Sequence, residues 1–261
     1  MPVVTTFSNF FNQIDLADVV NGICKRTNLP ESNDPAGSTD PIYAQIIAHV
    51  NDANQEIFGD YKWRPLVVEG EIPIFGDSPG QKEKAFDFPV DFQYFVDQTQ
   101  WNNSTQLPAM GPVSDQSWRM YQVRNWVPQL TFFWQLRGGK LWVLNPPYLT
   151  DPATYPKFSF MYVSGATIID GDNPSVYKNT ASKNGDTFIL DGLAILLLGR
   201  VKFLAAKGFD TAAAELDYQR RIEQVIDQST AAPVLTLARD VGFPYIGLAN
   251  LPDTGYGRGP M

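Results

Sequence analysis

Residues 186–207, DTFILDGLAILLLGRVKFLAAK, contain the most apolar run of the chain, and their spacing predicts a helix that other elements must surround. Leu190, Leu193, Leu197, Val201 and Leu204 form one stripe at helical intervals. Phe188, Ile195 and Leu198 widen that stripe until the cylinder is apolar nearly all round. Asp186 is the expected N-cap and Gly208 the expected stop. Asp191, Arg200 and Lys202 interrupt the run, so it falls short of the roughly 20 predominantly apolar residues of a membrane span. Such a helix belongs at the centre of a helical subdomain.

Its expected partners lie on both sides in sequence. Upstream, Ile14, Leu16, Val19, Val20 and Ile23 supply an apolar helical face that Asn28, Leu29 and Pro30 break. A second helix opens with Asp40 as N-cap and Pro41 in the first turn, and places Ile42, Ile46, Val50, Ala53 and Ile57 on one side. Gly59 is the expected left-handed C-terminal residue. Downstream, Asp210 caps a last helix to about Gln228 that carries Ala212, Leu216, Ile222, Val225 and Ile226.

Between these helices the period changes. Leu66–Phe75 and Lys84–Phe88 read as strands, and 131–137 with Lys140–Leu144 reads as a hairpin across Gly138 and Gly139, whose freedom at positive φ suits a primed turn. Lys157–Val163 alternates, with Phe158, Phe160 and Tyr162 on one face and Ser159, Met161 and Val163 on the other. Ser114 is placed to cap a short helix to Gln122, and 170–185 reads as a polar loop. The fold expected is α+β, an antiparallel helical bundle with an inserted antiparallel β-rich region and an extended C-terminal arm. Its segments are 1–62 (N-terminal helices), 63–185 (β-rich insertion), 186–229 (C-terminal helices) and 230–261 (arm).

Composition bounds what such a chain does. At 261 residues it is one large domain or two small ones, long enough to need no disulfide or metal staple. Twenty basic against 28 acidic residues leave a net charge of -8, which disfavours tight phosphate wrapping and lets DNA pass without adhering. Cys24 and His49 are the single residues of their kinds, so neither an intrachain disulfide nor a Cys/His zinc site is available. The N-terminal MPVVTTFSNFFNQIDLADVV has no basic region followed by a long apolar one, so no signal peptide and a soluble chain are expected.

Motifs of catalysis are missing: no G-x-S-x-G, Walker A loop, H-E-x-x-H or dinucleotide-binding glycine pattern occurs. His49 has no companion motif, and Cys24 sits among apolar neighbours as buried thiols do. Asp170-Gly171-Asp172-Asn173 offers oxygen ligands but lacks the later glycine and glutamate of a calcium loop. Asp87 and Asp91 are a carboxylate pair of undetermined separation. Trp101, Trp118, Trp126, Trp134 and Trp142 suit core or subunit contacts, and any left exposed suits stacking on sugars.

The arm is unusual for a terminus in being apolar and little charged. Its anchors are Val241, Phe243, Pro244, Tyr245, Ile246, Leu248 and Tyr256, and it either folds back on its own domain or docks on another chain. Docking is the expectation.

A series of collinear motifs resembles the head-to-tail adaptor proteins of short-tailed bacteriophages, the tail tubular protein A group. Tyr61-Lys-Trp63-Arg-Pro-Leu66 leaves the second helix, followed by Phe88-Pro89-Val-Asp91-Phe92 and Thr99-Gln-Trp101-Asn102. Gly111-Pro112-Val-Ser114 with Trp118, Leu136-Arg137-Gly138-Gly139-Lys140-Leu141 and Phe160-Met-Tyr162-Val-Ser164 come next. Asp186-Thr187 and Lys202-Phe-Leu-Ala205-Ala-Lys207-Gly208 close the series, which covers residues 12–228. The sequence departs from the pattern at Gly199-Arg200-Val201, where glycine replaces a bulky aromatic and allows close helix approach. The resemblance implies a structural virion protein without enzymatic activity or cofactor. It implies a homo-oligomeric ring of twelve copies bound to the portal protein and presenting a platform to the tail nozzle or tube protein. DNA would pass through the channel without specific binding, and the protein would be found in the phage neck and tail, and in the host cytoplasm during assembly, with no membrane partner. The alternatives are a neck stopper or tail-completion protein and, from another class, a glycan-binding or glycan-cleaving tail component.

Overall fold

The computed structural model describes residues 12–124 and 132–229. Helix α1 (Leu16–Arg26) buries Leu16, Val19, Val20, Ile23 and Cys24, the face expected from their spacing. It stops where Asn28 takes positive φ (56°), which lets Leu29 N–H reach the Cys24 carbonyl at 3.0 Å. In α2 (Pro41–Asp60) the Asp40 carboxylate accepts from Ile42 N–H at 2.9 Å, and Tyr43, Ile46, Val50, Ala53 and Ile57 are buried. Gly59 does not terminate α2. The helix runs through it, and extended backbone at Tyr61 ends it, with the Trp63 indole donating to the Ile57 carbonyl at 2.7 Å to satisfy one of the terminal acceptors.

The chain then forms β1 (Val67–Pro73), β2 (Glu83–Phe86), β3 (Phe92–Phe95), β4 (Trp101–Asn102) and β5 (Leu107–Pro108), followed by α3 (Asp115–Arg124). Ser117 N–H donates to the Ser114 hydroxyl, as a capping serine requires. After it come β6 (Trp134–Arg137), β7 (Lys140–Leu144) and β8 (Lys157–Ser164). β6 and β7 are joined by Gly138 and Gly139 at φ 60° and 72°, the expected primed hairpin. Three short strands, β9 (Ile168–Ile169), β10 (Tyr177–Lys178) and β11 (Thr187–Phe188), precede α4 (Gly192–Ala206) and α5 (Ala212–Ser229).

β8 is the axis of the larger sheet. On one side β1 runs antiparallel to it, from Val67 opposite Val163 to Pro73 opposite Lys157. On the other, β3 and β4 pair with successive parts of its length, and β5 pairs with β4. β2, β7 and β6 make a second antiparallel sheet, and β10, β9 and β11 a third. The inner faces of the first two sheets meet in an aromatic core of Phe86, Phe132, Trp134, Phe158, Phe160 and Tyr162, with Phe88, Phe92 and Phe95 packed against it. α3 covers the far face of the second sheet through Trp118, which packs with Phe133 and Leu144. Glu83 tethers it, accepting from the Trp118 indole at 2.9 Å and the Gln122 amide at 2.7 Å.

α4 packs on α1, α2 and α5 at once, which explains why it is apolar nearly all round, with Arg200 and Lys202 the exceptions, pairing with Asp217 and Glu56. Two glycines permit this crowding. A Cβ on Gly199 would lie 3.1 Å from Ile23 Cδ1 and 3.3 Å from Val50 Cγ2, and one on Gly22 would collide with Leu196. Gly208 (φ 75°) ends α4 and Asp210 caps α5.

The expected helical bundle with a β insertion is not the architecture found. Among the described residues eleven strands in three antiparallel sheets stand against five α-helices, so the molecule is a strand-rich α+β fold. The cause lies in the middle of the chain, whose aromatic residues build a core of their own between two sheets. The N-cap of α4 is likewise Asp191, whose carboxylate accepts from Ala194 N–H at 2.8 Å and pairs with Arg221 at 2.6 Å. Asp186 lies upstream, because Thr187 and Phe188 pair with β9 before the helix begins. Leu216, expected on the buried stripe of α5, is exposed, since that helix meets the core along Ala214, Tyr218, Ile222 and Val225. The 170–185 loop includes β10.

Candidate functional site

The arm residues Val241, Phe243, Pro244, Tyr245, Ile246, Leu248 and Tyr256 lie outside the described residues, as does Trp126. The other candidates can be followed into the fold. Cys24 is buried in the helical core, and burial pushes its thiol up, away from the reactive thiolate. His49 is half-buried with its ring edge-on to Phe203. Asp87 pairs with Lys140 at 2.8 Å, whereas Asp91 accepts from the Tyr162 and Ser164 hydroxyls, so these carboxylates serve separate structural contacts.

The Asp170 to Asn173 segment is an ionic knot. Lys183 bridges Asp170 and Asp172, and Lys178 spans Asp170 and the fully buried Asp186 at 3.0 and 2.7 Å. The N–H of Asp172 and the two ammonium groups hold the Asp170 carboxyl below its ordinary range. Carboxylates already neutralised by lysines have little left to offer a cation, and among the described residues no group of three or more His, Cys, Asp or Glu is arranged to hold a metal.

What remains is a surface site on the outer face of the β8 sheet, whose position follows from strand register. Alternation turns Ser159, Met161 and Val163 away from the aromatic core, and the register sets Glu71 opposite Ser159 and Glu69 opposite Met161 on one side, Trp101 opposite Ser159 on the other. Val163 is buried because that end of β8 reaches the helical core. Met161 and Trp101 are each 42% exposed and line a cleft of about 440 Å³ with Glu69, Gln98, Asn103 and Gln106. Of the described tryptophans, Trp63, Trp118 and Trp134 are buried, and Trp142 is half-covered by the Arg137 guanidinium at 3.8 Å, which leaves Trp101 as the open indole.

The wall of the cleft is braced. Asn103 accepts from the Ser159 hydroxyl at 2.7 Å and donates to Glu71 at 2.8 Å, and Lys157 holds Glu71 at 2.8 Å. The Lys157 ammonium keeps the Glu71 carboxyl below its usual range against the opposing effect of burial. Gln98 and Gln106 occupy left-handed backbone (φ 61° and 56°) on either side of β4. Sequence reading singled out Trp101 but missed Glu69, Gln98, Asn103, Gln106 and the role of Met161. The alternation of β8 was the available signal for Met161. Glutamine at positive φ carries no signal of the kind that glycine or asparagine gives.

No helix of the described residues is long and apolar enough to cross a membrane. No family model and no curated protein matches the chain.

Proposed function

We propose that the chain is the repeating subunit of an adaptor ring that joins the portal of a short-tailed bacteriophage to its tail nozzle or tube, twelve copies enclosing a passage for DNA. The observation that carries this reading is the order of the adaptor-like motifs over residues 12–228 and their use as joints of the fold. Tyr61 packs edge-on to Trp63 where α2 gives way to β1, and Phe88 stacks on Phe92 at 4.1 Å where β2 gives way to β3. Gly138 and Gly139 turn the β6–β7 hairpin, and Gly208 ends α4.

Two further features support it. Exposed Met110, Leu136, Phe209 and Leu216 give both the sheets and the helices apolar surface to bury against neighbouring copies. The charge of -8 suits a wall past which DNA slides, since like charge suppresses phosphate binding. The arm would supply the reach to portal through Phe243, Tyr245 and Ile246, adding affinity by multivalent contact around the ring.

Imaging the full-length protein by electron microscopy with and without purified portal tests the reading. A closed ring seated on portal is the expected result. A protein that neither forms rings nor binds portal at micromolar concentration overturns it. Replacing Phe243 and Tyr245 together by Ala is expected to release the protein from portal while its circular dichroism is unchanged.

A further inference from the structure

We propose that the cleft beside Trp101 is a binding subsite for one or two rings of a neutral pyranoside. A pyranose presents an apolar C–H face and a rim of hydroxyl groups that both donate and accept. The cleft has the matching chemistry. Trp101 gives an open indole face backed by Met161, and around it stand the Gln98 and Gln106 amides and the Glu69 carboxylate. None of these three polar groups has a hydrogen-bond partner among the described residues, whereas Asn103 beside them is locked by Ser159 and Glu71. Free groups on a braced wall are what a hydroxyl-rich ligand requires.

The two glutamines strengthen the argument. Both hold a backbone conformation that L residues adopt at an energetic cost, and both aim their residues at the same cleft from opposite ends of β4. The volume of about 440 Å³ falls within the range of small-ligand sites and above what a single water cluster needs. Charge decides among sugars. Glu69 has no ion-pair partner among the described residues and neither Lys nor Arg lines the cleft, so uronic and sialic acids meet repulsion and neutral rings do not. The inference stands on this cleft alone and does not depend on ring assembly.

The test titrates the full-length protein with maltotriose, cellotriose and triacetylchitotriose, and with sialyllactose as the charged counterpart, by saturation-transfer NMR and calorimetry. Binding of at least one neutral trisaccharide and none of sialyllactose is expected. Trp101→Ala should weaken it by about tenfold or more, because the stacking surface is lost, and Trp101→Phe should restore most of it. Glu69→Gln should keep the neutral sugar and admit sialyllactose. Failure of all three neutral sugars to bind, or equal binding by Trp101→Ala, overturns the proposal. So does protection of Trp101 from oxidation on adding portal or tail protein without any effect of sugar, which would make the cleft a protein interface.

Discussion

The helical core and the aromatic core are made of different side chains because they solve different spacing problems. α4 lies against α1 and α2 so closely that Gly199 has little room for a side chain between Ile23 and Val50, and the surrounding space is filled mostly by Leu, Ile and Val, with Tyr43, Trp63, Phe188 and Phe203 among them. The two sheets face each other at the spacing of packed sheets, about 10 Å, and short strands leave few positions from which to fill the space between them. Large rings do so: Phe160 alone has Phe88, Phe92, Phe95, Phe158 and Tyr162 as ring neighbours, mostly edge to face. β8 joins the two, with Phe158, Phe160 and Tyr162 in the aromatic core and Val163 in the helical one. Backbone shared between the cores is expected to make them unfold as one cooperative unit.

Phe160→Ala is the strongest way to break that claim. Removing the ring at the centre of the aromatic cluster should cost about 3 to 5 kcal/mol. If β8 couples the cores, far-ultraviolet circular dichroism, which follows the helices, and near-ultraviolet signals of the aromatic core should shift together in urea. Separate midpoints would show two independent regions.

A smaller effect separates the ionic knot from both cores. Asp186 is fully buried; burial alone would raise its carboxyl, but Lys178 and the N–H groups of Ser182, Lys183 and Gly171 outweigh that and hold it below the ordinary value. A depressed folded value stabilises the fold above the unfolded carboxyl range, about 3.9, and that stabilisation is lost as pH falls through the lower folded value. Asp186→Asn should therefore cost about 2 to 3 kcal/mol at neutral pH. It should also flatten the acid limb below about pH 4, read from urea midpoints at successive pH values. An unchanged acid limb would assign the acid sensitivity to other carboxylates.

The two regions also differ in how far residues disclose them. The helices were legible because cap, stripe and stop lie within one segment: Asp40, Pro41 and the Ile46, Val50, Ala53 series locate α2 without knowledge of any partner. The β6–β7 hairpin was legible for the same reason, both strands meeting across two glycines. The sheets were not, because Val67 pairs with Val163 and Trp101 with Ser159, and no local pattern encodes which distant strand completes a pair. That long-range pairing is what turned an expected insertion into the larger part of the fold. Asp186 illustrates the limit at one residue: it precedes an apolar run as a cap would, but the β11 pairing intervenes and Asp191 takes the role. The cleft at Trp101 inherits the same limit, since register alone brings Glu69 and Met161 to it.

The finest distinction between the cores is a pair of alanine substitutions at glycines that both lack room. Gly70 lies opposite Phe160 in the β1–β8 register, and a Cβ there would come within 2.8 Å of the Phe160 ring and 3.2 Å of the Tyr162 ring. Neither ring can retreat, because each is wedged among other aromatics, so Gly70→Ala should cost about 1 to 3 kcal/mol as an overpacked core does. Gly22 meets instead the tip of Leu196, a side chain whose end can change rotamer, and its site is the interior of α1. There alanine gains about 1 kcal/mol of helix propensity over glycine, which offsets the strain of moving Leu196. Gly22→Ala should therefore shift the urea midpoint little in either direction. A large loss at Gly22 with none at Gly70 would reverse the assignment of which core is rigid, because it would mean that the aliphatic crossing, and not the aromatic cluster, tolerates no displacement.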